Sequence, residues 1–92
     1  MIRDYIAVDV ETTGLNPARD RLLEIGAARI LNGKVEETYQ TFIDAGVEVP
    51  ERITELTGIT DEMRLSGKRP EQAIPEFLEL DRKSTRLNSS HT

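Results

Sequence analysis

The chain has 92 residues, a formal net charge of −5, ordinary apolar and charged fractions, and no cysteine. This length suits one small domain or a part of a larger one, and the composition excludes disorder throughout. The absence of thiols excludes disulfides and thiolate metal sites, and the acidic balance argues against unspecific binding of nucleic acid by a basic surface.

The first predicted element is a strand over Tyr5–Val10, an apolar run that leads into a Thr-Gly turn. Because side chains alternate along a strand, Asp9 and Glu11 point to the same face, about 6–7 Å apart. Two like charges at this separation repel each other, and burial would strengthen the conflict. A hard divalent cation such as Mg²⁺ or Mn²⁺ resolves it, because such ions prefer carboxylate oxygens. For an isolated Asp-x-Glu, a solvated polar face is the alternative interpretation.

Two further strands are predicted to complete an antiparallel meander with the acidic strand at one side. The nearly continuous apolar run Leu22–Leu31 is typical of a buried strand, and the more polar Lys34–Ile43 suits an edge strand. Between them, Asn32-Gly33 favours a type I′ hairpin turn, because both residue types accept positive φ. We interpret Glu24 as a structural hydrogen-bonding or ion-pairing group.

Three helices are predicted after the strands. Arg52–Thr57 forms a short helix that Gly58 ends, and Thr60 caps the start of a second. The third helix opens at Pro70 and runs through Leu80. Ile74, Phe77 and Leu78 are predicted to form its apolar face. Pro75 lies inside the helix and is predicted to kink or restart it.

Residues 81–92 show no helical or strand periodicity. From Asp81 to His91 they resemble the translation of a sequencing-library adapter, so we expect residues 81–92 to be a tail that is not native. Residues 1–80 are then the N-terminal half of a domain. A flexible polar C-terminal tail is the alternative. The single histidine, His91, lies in this tail and is therefore not assigned as a catalytic base.

Three motifs, in this order and spacing, resemble those of the DEDD-superfamily 3′–5′ exonucleases. They are Asp9-Val10-Glu11-Thr12-Thr13-Gly14-Leu15, then Leu23-Glu24-Ile25-Gly26-Ala27, then Ile53-Thr54-Glu55-Leu56-Thr57-Gly58-Ile59-Thr60-Asp61-Glu62-Met63. The similarity covers residues 4–80 and is strongest to the proofreading exonucleases of bacterial DNA polymerase III, whether a separate epsilon subunit or a domain of the Gram-positive-type polymerase. It implies an α/β fold with a ribonuclease H-like mixed sheet, of which this chain carries the first three strands, the antiparallel meander, and the helices that follow.

The resemblance also implies a site with two divalent metal ions, Mg²⁺ or Mn²⁺, held by four acids. Asp9 and Glu11 match the first two, with Asp9 bridging both ions and Glu11 binding one. Ions held in this way activate water and orient the terminal phosphodiester. The expected contacts to the 3′-terminal nucleotide come from Thr12, Thr13, Gly14, Leu15, Leu56 and Thr57.

The function implied is proofreading hydrolysis of a single-stranded or frayed DNA 3′ end, in partnership with the catalytic subunit or polymerase domain of DNA polymerase III. In the family, the second acidic motif and the third motif with a His or Tyr base would follow Leu80, so we expect this 92-residue chain to be inactive alone. An RNA-trimming exonuclease, a helicase-fused exonuclease and a non-catalytic nucleic-acid- or protein-binding module are the alternatives. No signal peptide or membrane span is evident, so we expect a cytoplasmic protein without a membrane partner.

Overall fold

The computed structural model describes residues 3–14, 16 and 20–88, with side chains described as far as Lys83. Three strands come first along the chain and three helices follow them. The elements are β1 (Tyr5–Thr12), β2 (Leu22–Leu31), β3 (Lys34–Phe42), α1 (Glu51–Thr57), α2 (Asp61–Leu65) and α3 (Pro70–Asn88).

The strands form the predicted antiparallel meander in the order β1-β2-β3. Asn32 and Gly33 have φ angles of 55° and 76°, which confirms the type I′ turn between β2 and β3. β1 runs beyond the predicted end at Val10, because Thr12 still pairs with Leu22 across an irregularity in the register.

The core lies between one face of the sheet and the helices. Ile25 on β2 packs with Ile43 and with Ala73 on α3, and Phe77 packs against this cluster. Leu80 is also buried. The buried stripe of α3 is therefore Ala73, Phe77 and Leu80, and this corrects the prediction for Ile74 and Leu78, which are exposed. Ala73 allows the helix to approach the sheet closely, and this approach decides which side of the helix is buried.

The two short helices have the predicted boundaries to within one residue. Gly58 follows α1 in the left-handed conformation, with φ of 80°, and its amide donates to the Thr54 carbonyl. The Thr60 side chain caps α2 by accepting a hydrogen bond from the Met63 amide. A local capping residue thus determines where α1 ends and where α2 begins.

The long helix α3 corrects one prediction, because it does not end at Leu80 but continues to Asn88. It also runs through Pro75 as one helix, which leaves the kink of the predicted 'kink or restart' as a prediction. Residues 81–88 contain neither glycine nor proline, and the turn after Leu80 is supported by an ion pair between Arg82 and Glu79. Local propensity therefore extends the helix where no apolar periodicity marks it.

β1 forms one edge of the described sheet, and its apolar side chains remain accessible. Tyr5, Val8 and Val10 are 44%, 48% and 45% exposed. An accessible apolar edge strand is a site for pairing with another strand. Among the described residues, no helix is long and apolar enough to cross a membrane.

Candidate active site

Asp9 and Glu11 lie on β1 and project from the same face of the sheet. Their partners across the antiparallel pairing are Gly26 and Glu24 of β2, and the register is regular as far as Glu11. Residues with the opposite parity, such as Ile25, face the helices. Asp9 and Glu11 therefore point from the opposite face, on which Glu24 also lies; we call this surface the acidic face. Asp9 is exposed and Glu11 is half-buried.

The two carboxylates are available for binding. Within the part of the chain that the structure describes, no hydrogen bond or ion pair engages the side chain of Asp9 or Glu11. No arginine neutralises the pair among these residues, so its mutual repulsion is left to solvent and ions. Hard oxygen donors with this arrangement suit a divalent cation, and the residues present fit two of the ligands of such a site.

A shallow, open concavity of about 350 Å³ adjoins Asp9 along the pairing of β1 with β2. Small side chains make room for it, because Gly26 stands directly opposite Asp9. The remaining lining residues are Ala7, Val8, Ala27, Ala28 and Tyr39.

The turn after β1 is tied to the residues that lead into β2. The buried Thr13 donates from its hydroxyl to Asp20 Oδ1 at 3.0 Å, and the same hydroxyl accepts from the Arg21 amide. The Thr13 amide donates to the Arg21 carbonyl. Thr12 donates from its hydroxyl to the Gly14 carbonyl at 2.5 Å. The Thr13 side chain is thus used to shape the turn, and the Thr12 hydroxyl keeps a lone pair as an acceptor.

Asp20 is a structural residue of this turn that the sequence did not reveal. Its second carboxylate oxygen accepts from the Asn16 amide at 2.8 Å. A Cβ on Gly14 would lie 2.5 Å from that oxygen, so a larger residue at position 14 would displace the Asp20 side chain from its place in the turn. The sequence signal for this role is the turn chemistry of the loop, which contains Asn-Pro and Asp. Asn and Asp side chains in such loops often bond to nearby backbone groups.

The residues predicted to contact the terminal base are placed on α1, apart from Leu15, which lies outside the described residues. Leu56 is 80% exposed, so it is not a core residue and its side chain can meet a ligand. The Thr57 hydroxyl donates to the Ile53 carbonyl and accepts from the Ile59 amide. Ile53 packs in a cluster with Leu23 of β2, which connects α1 to the sheet near the end of the acidic strand.

Glu24 has the hydrogen-bonding role that we read from the sequence. Gln40 of β3 donates from its side-chain amide to Glu24 Oε2 at 2.7 Å. Among the described residues, no three His, Cys, Asp or Glu side chains come together in a way that could hold a metal. In this arrangement the Glu24 carboxylate is engaged by Gln40.

A buried arginine connects α2 to the segment after β3. Arg64 is 7% exposed, and its guanidinium donates to Asp44 at 2.7 Å and to Asp61 at 3.1 Å. A hydrogen bond from the Gly46 amide and the Arg64 guanidinium together lower the pKa of Asp44. The Val49 amide and Arg64 do the same for the pKa of Asp61. This cluster fixes both ends of the segment that carries α1.

A second polar cluster joins β3 to α3. The Tyr39 hydroxyl donates to Glu76 at 2.8 Å, and Lys68 forms an ion pair with the same carboxylate at 2.5 Å. Burial and the neighbouring Glu76 raise the pKa of Tyr39 to about 12. Lys68 and Tyr39 lower the pKa of Glu76. The tyrosine is thus a neutral hydrogen-bond donor that orients the helix on the sheet.

Comparison with known proteins places these features in one family. The family model described as Exonuclease, of the RNase T type, matches residues 6–91. The chain is 42% identical over 74 residues to the PolC-type DNA polymerase III of Thermotoga petrophila, covering 80% of this chain and 5% of that protein. It is 35% identical over 75 residues to the DNA polymerase III epsilon subunit of Aquifex aeolicus, covering 82% and 37% respectively. The chain thus spans a small part of these relatives.

Solved structures show the same fold at low sequence identity. The nuclease domain of 3′hExo, a DEDDh family member bound to rAMP, superposes with a TM-score of 0.72 at 17% identity, covering 95% of this chain and 46% of that one. The cell-death related nuclease CRN-4 superposes with a TM-score of 0.65 at 16% identity, covering 85% and 29%. The meander and helices are thus a part of the ribonuclease H-like exonuclease domain, and this chain belongs to the RNase T-type exonuclease family.

Proposed function

We propose that the chain is the first part of the catalytic domain of a 3′–5′ exonuclease that removes nucleotides from DNA during replication proofreading. The observation that supports this proposal most directly is the pair Asp9 and Glu11, which lie on one face of the same strand and whose side chains bond to no other described residue. Family membership and the similarity to both kinds of DNA polymerase III protein support the assignment. The proposed partners are a single-stranded or frayed DNA 3′ end and a DNA polymerase III catalytic subunit or polymerase domain.

Asp9 and Glu11 would hold divalent ions, Mg²⁺ or Mn²⁺, through their carboxylate oxygens. Such ions, two in the proposed mechanism, activate water and stabilise charge on the leaving 3′ oxygen when they are bound. The chain's own contribution is to keep two repelling carboxylates on one rigid strand, so that binding a cation relieves their conflict. The remaining ligands and the proton acceptor are proposed to come from polypeptide outside this chain.

The substrate contacts are proposed to come from the turn after β1 and from α1. The Thr12 hydroxyl can accept a hydrogen bond from a terminal 3′-OH, whereas the Thr13 hydroxyl and amide already hold the turn. Gly14 is proposed to contact the same terminal nucleotide through its backbone. Leu56 offers an exposed apolar surface for the last base, with Thr57 beside it and Leu15 as its proposed partner. Apolar contact with a base face tolerates any sequence, which suits an enzyme that removes every nucleotide.

The test is hydrolysis of a DNA oligonucleotide labelled at its 5′ end and carrying a mismatched 3′ nucleotide, by the gene product expressed at its full native length. We expect stepwise shortening from the 3′ end in Mg²⁺ or Mn²⁺. In Asp9→Asn the rate of hydrolysis should fall by a factor on the order of a thousand, because a metal ligand is removed. Glu36→Gln, at the hairpin end of β3, is the matched control and should remain active. Equal activity in Asp9→Asn would exclude the proposal, and a marked preference for RNA would favour an RNA-trimming enzyme.

We also propose that the 92-residue chain alone does not hydrolyse DNA. Asp9 and Glu11 supply two of the ligands, and the described residues contain no cluster of three that could complete a metal site. Metal-dependent 3′–5′ degradation by the purified 92-residue chain, abolished by Asp9→Asn, would contradict this expectation.

Residues 81–92 are proposed to be a tail that is not native, preceded by the native domain segment 1–80. The helical conformation to Asn88 does not bear on origin, because polar sequences without glycine or proline extend a helix readily. The nucleotide sequence decides the matter: the adapter's own codons over this stretch support the proposal, and different codons overturn it.

A further inference from the structure

Glu24 stands directly opposite Glu11 in the pairing of β2 with β1. Opposed residues of an antiparallel pair have Cβ atoms about 5 Å apart and share a face, and like charges in this position destabilise the sheet. Both side chains are half-buried, so solvent screens them incompletely. The acidic face thus carries a third negative charge beside the proposed metal ligands, on the neighbouring strand.

The Glu24 carboxylate is held on the side away from Glu11. Its hydrogen-bond donor, Gln40, belongs to β3, and β3 borders β2 on the side opposite β1. Gln40 pairs with Gly26, which is two residues from Glu24 on the same face, so the Gln40 amide reaches Glu24 diagonally across the sheet. This anchoring is consistent with the finding that no three acids or histidines converge among the described residues.

We propose that Glu24, anchored by Gln40, is a positioning residue of the metal site that strengthens cation binding at Asp9 and Glu11 through its charge without becoming a ligand. This inference rests on the proposed function of that pair. A fixed negative charge one strand away raises the local cation concentration and the affinity for a divalent ion. The Gln40 amide keeps the carboxylate from turning toward the ion, so the position of the two ligands is undisturbed.

The proposal predicts opposite effects of one substitution on metal binding and on metal-free stability. In the gene product at its full native length, Glu24→Gln removes the charge and keeps a side chain that can bond to Gln40. Electron paramagnetic resonance of free Mn²⁺ should show roughly three- to tenfold weaker binding, the scale of a lost charge near a partly solvated ion. Without metal, the melting temperature should rise, because the repulsion with Glu11 is gone.

Two variants separate the charge from the hydrogen bond and from the general acidity of the protein. Glu24→Asp keeps the charge and should retain Mn²⁺ affinity within about twofold. Glu36→Gln removes a charge from the hairpin end of β3 and should leave both readouts unchanged. A purely structural Glu24 would instead give a lower melting temperature and unchanged Mn²⁺ affinity in Glu24→Gln, and this result would overturn the inference.

Asp9→Asn, measured in parallel, keeps the two proposals distinguishable. If Asp9→Asn abolishes Mn²⁺ binding and Glu24→Gln leaves it unchanged, only the role of Glu24 is excluded. If Asp9→Asn itself binds Mn²⁺ as tightly as the natural protein, the metal site fails, and the role of Glu24 fails with it.

Discussion

Neighbouring polar side chains have different roles in this site because their partners differ. Thr13 is buried, and its hydroxyl bonds to Asp20 and to the Arg21 amide, so it shapes the turn. Asp9 and Glu11, four and two residues earlier, have no such partner among the described residues. A residue with satisfied bonds stabilises the fold, whereas the pair of like charges on β1 is the arrangement that the proposed metal site would neutralise.

At the residue scale, Arg64 is expected to be the polar side chain with the largest effect on stability. Arg64→Met removes a buried guanidinium that bonds to Asp44 and Asp61, and should lower the free energy of unfolding by about 2–3 kcal/mol. Urea denaturation of the two proteins at neutral pH measures this difference. Arg69→Met is the matched control, since Arg69 lies 3.8 Å from Asp44 and is more than half exposed.

The effect of Arg64 should also depend on pH. The pKa values of Asp44 and Asp61 are lowered in the folded protein, so their stabilisation is complete above the ordinary carboxyl range near pH 4. It disappears as the pH falls through the lowered folded values. The difference in the free energy of unfolding between the natural protein and Arg64→Met should therefore be constant from about pH 5 to 7 and should shrink in more acidic solution. A difference that grows on acidification would contradict this account.

At the scale of elements, local chemistry made the hairpin and the helix ends predictable, and packing decided the rest. The residue type alone favours the observed conformation at three places, which are the turn Asn32-Gly33, the helix end at Gly58 and the helix cap at Thr60. The buried stripe of α3 depends on which side approaches the sheet, and the bond from Gln40 to Glu24 depends on the register of two strands. Neither the buried stripe of α3 nor the Gln40–Glu24 hydrogen bond can be predicted from a short stretch of sequence.

The junction between β3 and α3 depends on Gly67. The Phe42 carbonyl accepts from the Lys68 amide at 3.0 Å, and a Cβ on Gly67 would collide with that same carbonyl. Gly67→Ala should therefore lower the free energy of unfolding by about 3 kcal/mol, as backbone must move. Gly58→Ala is the control, because its Cβ meets nothing within 4 Å and only the positive φ is unfavourable, at about 1 kcal/mol. If thermal unfolding shows the same loss of stability in Gly67→Ala and Gly58→Ala, the close approach of Gly67 to the Phe42 carbonyl is not a constraint.

At the scale of the whole molecule, the described sheet has two edges of different character. β1 presents apolar side chains on its accessible edge, including Val8 at 48% exposure. The other edge, β3, carries the polar residues Lys34, Glu36, Thr38 and Gln40. Charged edges resist pairing with other strands, whereas apolar ones favour it.

The 92-residue chain is therefore expected to associate through β1. Sedimentation velocity over a range of concentrations should show oligomers, and Val8→Lys should weaken the association at least tenfold by placing a charge on the edge. Val35→Lys, at an exposed valine of β3, should have no effect. A monodisperse monomer at every concentration would contradict this expectation.

The most direct test of the account is to locate Mn²⁺ by anomalous diffraction in crystals of the gene product at its full native length. We expect a peak beside β1, about 2.1 Å from carboxylate oxygens of both Asp9 and Glu11, and its loss in Asp9→Asn. Glu24 should stay outside ligand distance and bonded to Gln40. A peak elsewhere, or Asp9 and Glu11 held by basic side chains, would contradict the assignment of this strand as the start of a nuclease active site.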